Sequence, residues 1–98
     1  MEKDVNPVKG DVYKTDGKVY DFTKMKEQIT LKFLQESVGG YIQIVPLGDS
    51  GKSMVMNEEG KLMSLPINEK ATALFRHHNG GQDYIVGDAI VLETKYIM

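Results

Sequence analysis

The sequence predicts an α+β domain, a small antiparallel sheet of four to six strands with two helices packed on one face. Three features carry that prediction. Two stretches place apolar residues at helical spacing, and each runs into a Gly pair. Around them lie short β-prone segments separated by turn residues. A length of 98 residues provides one modest core and no second domain.

Taken in order, residues 1–10 (MEKDVNPVKG) are polar, contain Pro7 and show no periodicity. They predict a flexible N-terminal arm, with residues 11–98 as a single globular domain. DVYKTDGKVYDF, residues 11–22, reads as a hairpin about Asp16-Gly17, the pair favoured by a two-residue type I′ turn. That turn sets Tyr13 opposite Tyr20 with Phe22 on the same face, and Val12 and Val19 on the other. MKEQITLKFLQESVGG reads as a short helix with Thr30 as N-cap, Leu31, Leu34 and Val38 as its buried stripe, and Gly39-Gly40 as its exit. Met25, Ile29 and Phe33 extend a neighbouring stripe, so the helix start is open between Met25 and Thr30.

YIQIVPL alternates, with Ile42 and Ile44 on one face, Tyr41 and Val45 on the other, and Pro46 at a strand end or edge. SMVMN and the weaker KLMSL read as two more strands, completing a three-strand meander with NEEG as a turn. NEKATALFRHH is the second helix, capped by Asn68, with Ala71, Leu74 and Phe75 as its stripe. NGGQD ends it, and YIVGDAIVLE is the last strand, kinked at Gly87-Asp88.

Composition narrows the function classes. A net charge of −2 gives no global attraction to nucleic acid or anionic lipid. The absence of Cys removes disulfides, thiolate metal sites and a Cys nucleophile. The first ten residues lack an apolar core, so no secretory signal is expected. No apolar run approaches the roughly 20 residues that span a bilayer. The expectation is an intracellular protein with no membrane association.

PLGDSGKSM, Pro46 to Met54, carries two lures. Gly51-Lys52-Ser53 ends like a phosphate-binding loop, but Pro46 stands where the first Gly belongs and a β-prone run follows instead of a helix. GDSG is found around protease nucleophiles, yet this chain is too short to bring a His base and a carboxylate to it. The stretch is expected to be a hairpin turn.

Other candidates also have structural readings. His77 and His78 are adjacent, so on a helix they point about 100° apart and rarely meet one metal. Glu58-Glu59 lies in a turn, where neither carboxylate gains the burial that general acid catalysis needs. Six Met residues, among them Met54, Met56 and Met63, fit core gap-filling or an adaptable surface. Tyr13, Tyr20 and Phe22, with Lys14 and Lys18, form the candidate partner surface. Joined by Lys24, Lys26 and Lys32 of the lysine-rich N-terminal third, these residues are also the candidate nucleic-acid surface, an aromatic platform beside phosphate contacts. No catalytic, cofactor or metal site is expected.

Val38-Gly39-Gly40-Tyr41, Asn57-Glu58-Glu59-Gly60-Lys61, Asn68 with Ala71-Thr72, and Gly87-Asp88 occur in an order that resembles an uncharacterised small domain family. That family occurs in bacteriophages, bacteria with mobile elements and large DNA viruses. The resemblance covers about residues 31–92 and leaves the first hairpin outside. It implies a viral or phage-type accessory protein, an early gene product, and supplies no activity, ligand or catalytic residue. The expected function is a non-enzymatic module that binds a host or viral protein in host cytoplasm or nucleus. A nucleic-acid-binding accessory protein is the alternative, and a small enzyme the third class. Exposed strand edges make a homodimer a further expectation.

Overall fold

A computed structural model of the chain describes residues 7–97. Its elements are β1 (Val8–Tyr13), β2 (Val19–Lys24), α1 (Leu31–Val38), β3 (Ile42–Pro46), β4 (Lys52–Asn57), α2 (Glu69–Asn79) and β5 (Ala89–Glu93). Short 3-10 turns lie at Lys26–Gln28 and Thr94–Tyr96. The strands form one antiparallel sheet in the order β2-β1-β5-β4-β3, so the α+β class holds.

The helices do not share a face. Val55, Ile90 and Leu92 pack with Leu34 and Val38 of α1. Their neighbours Met54, Met56, Ala89 and Val91 pack with Ala71 of α2. Adjacent strand residues point to opposite sides, so one helix covers each face. The reason lies in the unbroken apolar runs Met54-Val55-Met56 and Ala89-Ile90-Val91-Leu92, all buried. A strand apolar on both sides needs cover on both sides.

Both helix starts follow their caps. The Thr30 hydroxyl accepts from Phe33 N–H at 3.0 Å, and Asn68 Oδ1 accepts from Ala71 N–H at 3.1 Å. α1 begins after Thr30, which settles the open boundary, and it ends at Gly39 in the left-handed region (φ 82°).

The first hairpin departs from expectation by one residue of register. Tyr13 pairs with Val19, and Val12 with Tyr20. The loop is three residues, Thr15-Asp16-Gly17, closed by Lys14 N–H to Lys18 O at 2.9 Å and Gly17 N–H to Lys14 O at 3.0 Å. Gly17 has positive φ and Asp16 does not, so a tight turn followed by a bulge replaces the type I′ pair. A one-residue slip moves every side chain across the sheet. Tyr13 therefore packs on the α2 side, while Val12 and Phe22 pack on the α1 side.

Two further boundaries shift. Val8–Gly10 belong to β1, with Val8 buried, so the predicted arm does not reach Gly10; residues 1–6 of that arm lie outside the described residues. The PLGDSGKSM stretch is the turn joining β3 to β4. It is closed by Leu47 N–H to Lys52 O at 2.9 Å, and Gly48 N–H donates to Asn79 Oδ1 at 2.7 Å at the end of α2.

Candidate interaction surface

The segment after β4 decides which side chains this domain presents. Asn57, buried at the end of β4, accepts from Glu59 N–H through Oδ1 at 2.8 Å and donates through Nδ2 to Val38 O at 3.2 Å. The side chain therefore starts a turn and ties it to the end of α1. Gly60 follows where the chain passes Val86 so closely that a Cβ would lie 2.7 Å from Cγ2.

From Gly60 the chain makes one helical turn, not the predicted KLMSL strand. Met63 N–H donates to Glu59 O, Leu65 N–H to Gly60 O at 3.0 Å and Ser64 N–H to Lys61 O at 3.1 Å. The last two bonds are the paired closure of a Schellman motif, with Ser64 in the left-handed position at φ 56°. Leu65 then packs on Gly87, Gly87 N–H donates to Pro66 O at 2.8 Å, and Ile67 bridges Val86. Both ends of the segment are fastened, and its middle projects.

What projects is apolar. Leu62 is 87% exposed and Tyr41 67%, and Met63, Ile67 and Tyr84 are also exposed. Ile67 and Tyr84 border one hollow, Tyr84 and Leu62 a second, and Met63 and Tyr41 a third beside Gly39-Gly40. Leu62 and Met63 are consecutive in the chain, so the three hollows follow one another along a crest of these five residues.

Charge is arranged around the crest. Lys61 Nζ lies 2.6 Å from Asp83 Oδ1 and 4.2 Å from the centre of the Tyr84 ring. The hydrogen bond raises the Lys61 amine above its usual value, and the same bond, helped by Tyr84 N–H, holds the Asp83 carboxyl below its own. Arg76 clamps the neighbouring loop by donating to Gln82 O and Asp83 O, both at 2.8 Å. Glu58 and Glu59 are exposed and form no ion pair among the described residues, which leaves the crest an acidic margin.

The residues singled out from the sequence are dispersed. Tyr13 is on the opposite face from Tyr20 and Phe22, so the three aromatics make no common platform. Burial, then Asp11, push the Tyr13 phenol up. Phe22 meets Phe33 edge-on at 5.5 Å, and Tyr20 is exposed. Lys14 Nζ is held by Asp88 at 2.8 Å, Lys24 lies over the Phe33 ring at 5.0 Å, and Lys18 is exposed at the hairpin. Asp11, Asp16 and Asp21 interleave with these lysines along the chain.

The rings of His77 and His78 meet edge-on at 5.1 Å. Among the described residues no group of three His, Cys, Asp or Glu is placed to hold a metal. Glu58 and Glu59 are both open to solvent. Met54 and Met56 fill the core, whereas Met63 is exposed. The crest itself escapes a strand reading of KLMSL. Its one sequence signal is the adjacent apolar pair Leu62-Met63 between Lys61 and Ser64, which fits poorly to either periodicity.

No curated protein and no solved structure matches the chain. A family match does extend from residue 12 to residue 96, and so takes in most of the hairpin, from Val12 onward, that the narrower resemblance omits. On that coverage, the chain belongs to the family described as a domain of unknown function, DUF3846.

Proposed function

We propose that this domain is a non-enzymatic protein-interaction module that uses the Tyr41–Leu62–Met63–Tyr84–Ile67 crest. The carrying observation is that Leu62, Met63 and Ile67 stay exposed on a segment fastened at both ends, with the exposed Tyr41 and Tyr84 bordering the same hollows. Contiguous exposed apolar surface marks contact with another molecule more often than scattered residues do. A fixed segment also loses little freedom on binding. With Glu58 and Glu59 at the margin, the matching partner presents an apolar anchor flanked by Lys or Arg.

The phage and viral resemblance read from the sequence supports a finer assignment, an accessory protein made early in infection whose partner is a host or viral protein in host cytoplasm or nucleus. The test is capture from lysate of the presumed host by tagged wild type and by Leu62→Glu/Met63→Glu, each with nuclease. A protein retained by wild type after nuclease and lost by the double variant supports the reading. Recovery that vanishes with nuclease, or is equal for both chains, refutes it.

A further inference from the structure

We infer that the domain self-associates through the outer edge of β3, two copies pairing antiparallel about a two-fold axis at Gln43. β3 pairs with β4 on one side and with nothing on the other among the described residues. Glu58 N–H donates to Tyr41 O at one end of this pair, and Leu47 N–H to Lys52 O at the other. Antiparallel ladders alternate with period two, so residues 41, 43, 45 and 47 bond inward to β4. Ile42 and Ile44 are left with N–H and C=O groups directed outward.

The two sheet edges are built differently. β2, at the far edge, carries Asp21 and Lys24, the charges with which proteins guard an open edge. β3 and the residue before it read Tyr41-Ile42-Gln43-Ile44-Val45, without a charge. Ile44 is 41% exposed and Gln43 is exposed. Pro46 limits the free edge at one end, since it has no N–H to offer.

The occupant is argued from the sequence of the edge itself. It is a near-palindrome about Gln43, which is what an antiparallel two-fold requires. Pairing Ile42 of one copy with Ile44 of the other satisfies all four outward N–H groups of the two strands. It also stacks β-branched side chains across the join on the α1 side. On the opposite side, Tyr41 faces Val45 of the second copy, an aromatic with a β-branched residue, and the two Gln43 side chains meet at the axis. Such cross-strand pairs are among the favourable ones. A five-residue edge is small, so the dimer is weak and concentration-dependent. Tyr41 is shared with the crest, but Leu62, Met63, Ile67 and Tyr84 lie outside the pairing, so Leu62→Glu/Met63→Glu tests the partner and Ile44→Lys tests the dimer.

The experiment uses sedimentation velocity on the full chain from about 1 µM to about 1 mM, a range covering weak association. A monomer–dimer equilibrium is expected. Ile44→Lys places a charge opposite Ile42 of the second copy and weakens two cross-strand pairs, so association falls at least about tenfold. The chain has no Cys, so Gln43→Cys gives a site-specific readout that does not depend on the Ile44 variant folding. Directly opposed residues outside the hydrogen-bonded pairs approach to about 4.5 Å between Cα atoms, within disulfide reach. Mild oxidation then yields a covalent dimer from Gln43→Cys and far less from Asp21→Cys at the β2 edge. A monomer throughout the range overturns the inference. So does a dimer unaffected by Ile44→Lys, or equal cross-linking at positions 21 and 43.

Discussion

Replacing Asn68 tests how this fold is joined at one end. Its side chain is fully buried and makes three bonds. Oδ1 accepts from Ala71 N–H at 3.1 Å as the cap of α2, and Nδ2 donates to Tyr13 O at 2.8 Å and to Gly87 O at 2.9 Å. Asn68→Ala removes a cap worth about 1 kcal/mol. It also strips a donor from two carbonyls, the buried Gly87 O and the partly buried Tyr13 O, at about 1 kcal/mol each. The expected loss is about 3 kcal/mol, read as a fall of roughly 2 M in the urea midpoint followed by far-UV circular dichroism.

Asn68→Asp separates the two roles. Asp caps a helix as well as Asn does, but it turns a carboxylate oxygen toward two carbonyls. The variant is therefore expected to lose at least as much as Asn68→Ala at neutral pH. Its deficit also depends on pH. A buried carboxyl facing acceptors has a folded-state pKa above its unfolded value, so the native state binds the extra proton between the two. Stability relative to wild type then falls as pH rises through that window. The deficit is smallest near pH 4 and full at neutrality. An Asn68→Asp chain as stable as wild type at pH 7 refutes the claim that the Nδ2 bonds matter.

Ser64 sits at φ 56°, so Ser64→Gly relieves a left-handed strain of about 1 kcal/mol, partly offset by glycine's entropy, and raises the melting temperature by a few degrees. At Gly10 an added Cβ would run into the Phe22 ring and lie 2.7 Å from Val91 O; Gly10→Ala is expected to lose about 2 kcal/mol in the same urea assay. The Lys14–Asp88 pair is more modest. The hydrogen bond to Asp88 raises the Lys14 amine, so its contribution is complete below the ordinary 10.5 and is lost as pH rises through the raised value. With the Lys14 side chain 42% exposed, screening limits Lys14→Met to less than about 0.5 kcal/mol at pH 7, and thermal melts of the two chains converge at strongly alkaline pH.

Most elements were legible because their signals are local. Thr30, Asn68 and Gly39 place helix ends through bonds within a few residues of themselves, and the sequence shows them directly. Asp16-Gly17 locates the first hairpin but not its register, because the same pair fits a two-residue and a three-residue loop. The three-residue loop carries Tyr13 away from Tyr20 and Phe22 and dissolves the aromatic platform. Ala89–Leu92 signals a strand without saying that both its faces need a helix. The crest was hidden for a related reason. Lys61–Leu65 has β-prone composition, and its helical turn is held by Leu65 on Gly87 and by Gly60 against Val86, contacts more than twenty residues apart.

The residues that make the sequence recognisable meet in space, and each holds the chain. Val38 O accepts from Asn57 Nδ2, and Gly40 runs so close to that amide that a Cβ would lie 2.9 Å from it. Gly60 passes Val86, Gly87 O accepts from Asn68, and Asp88 takes the Thr15 N–H at 3.0 Å and the Lys14 amine. Together they close one end of the sheet, joining the exit of α1, the end of β4, the start of α2 and the turn into β5. A pattern spent on closure specifies little chemistry, which is why recognising it brings no activity with it. What it does specify is the frame in which residues 58–66 stand clear of the core. Within that frame the side chains of Leu62 and Met63 take no part in the closing bonds and are free to differ without cost to the fold. The crest thus joins positions of the recognisable pattern, Tyr41 and the flanking Glu58 and Glu59, to Leu62 and Met63, which that pattern does not contain.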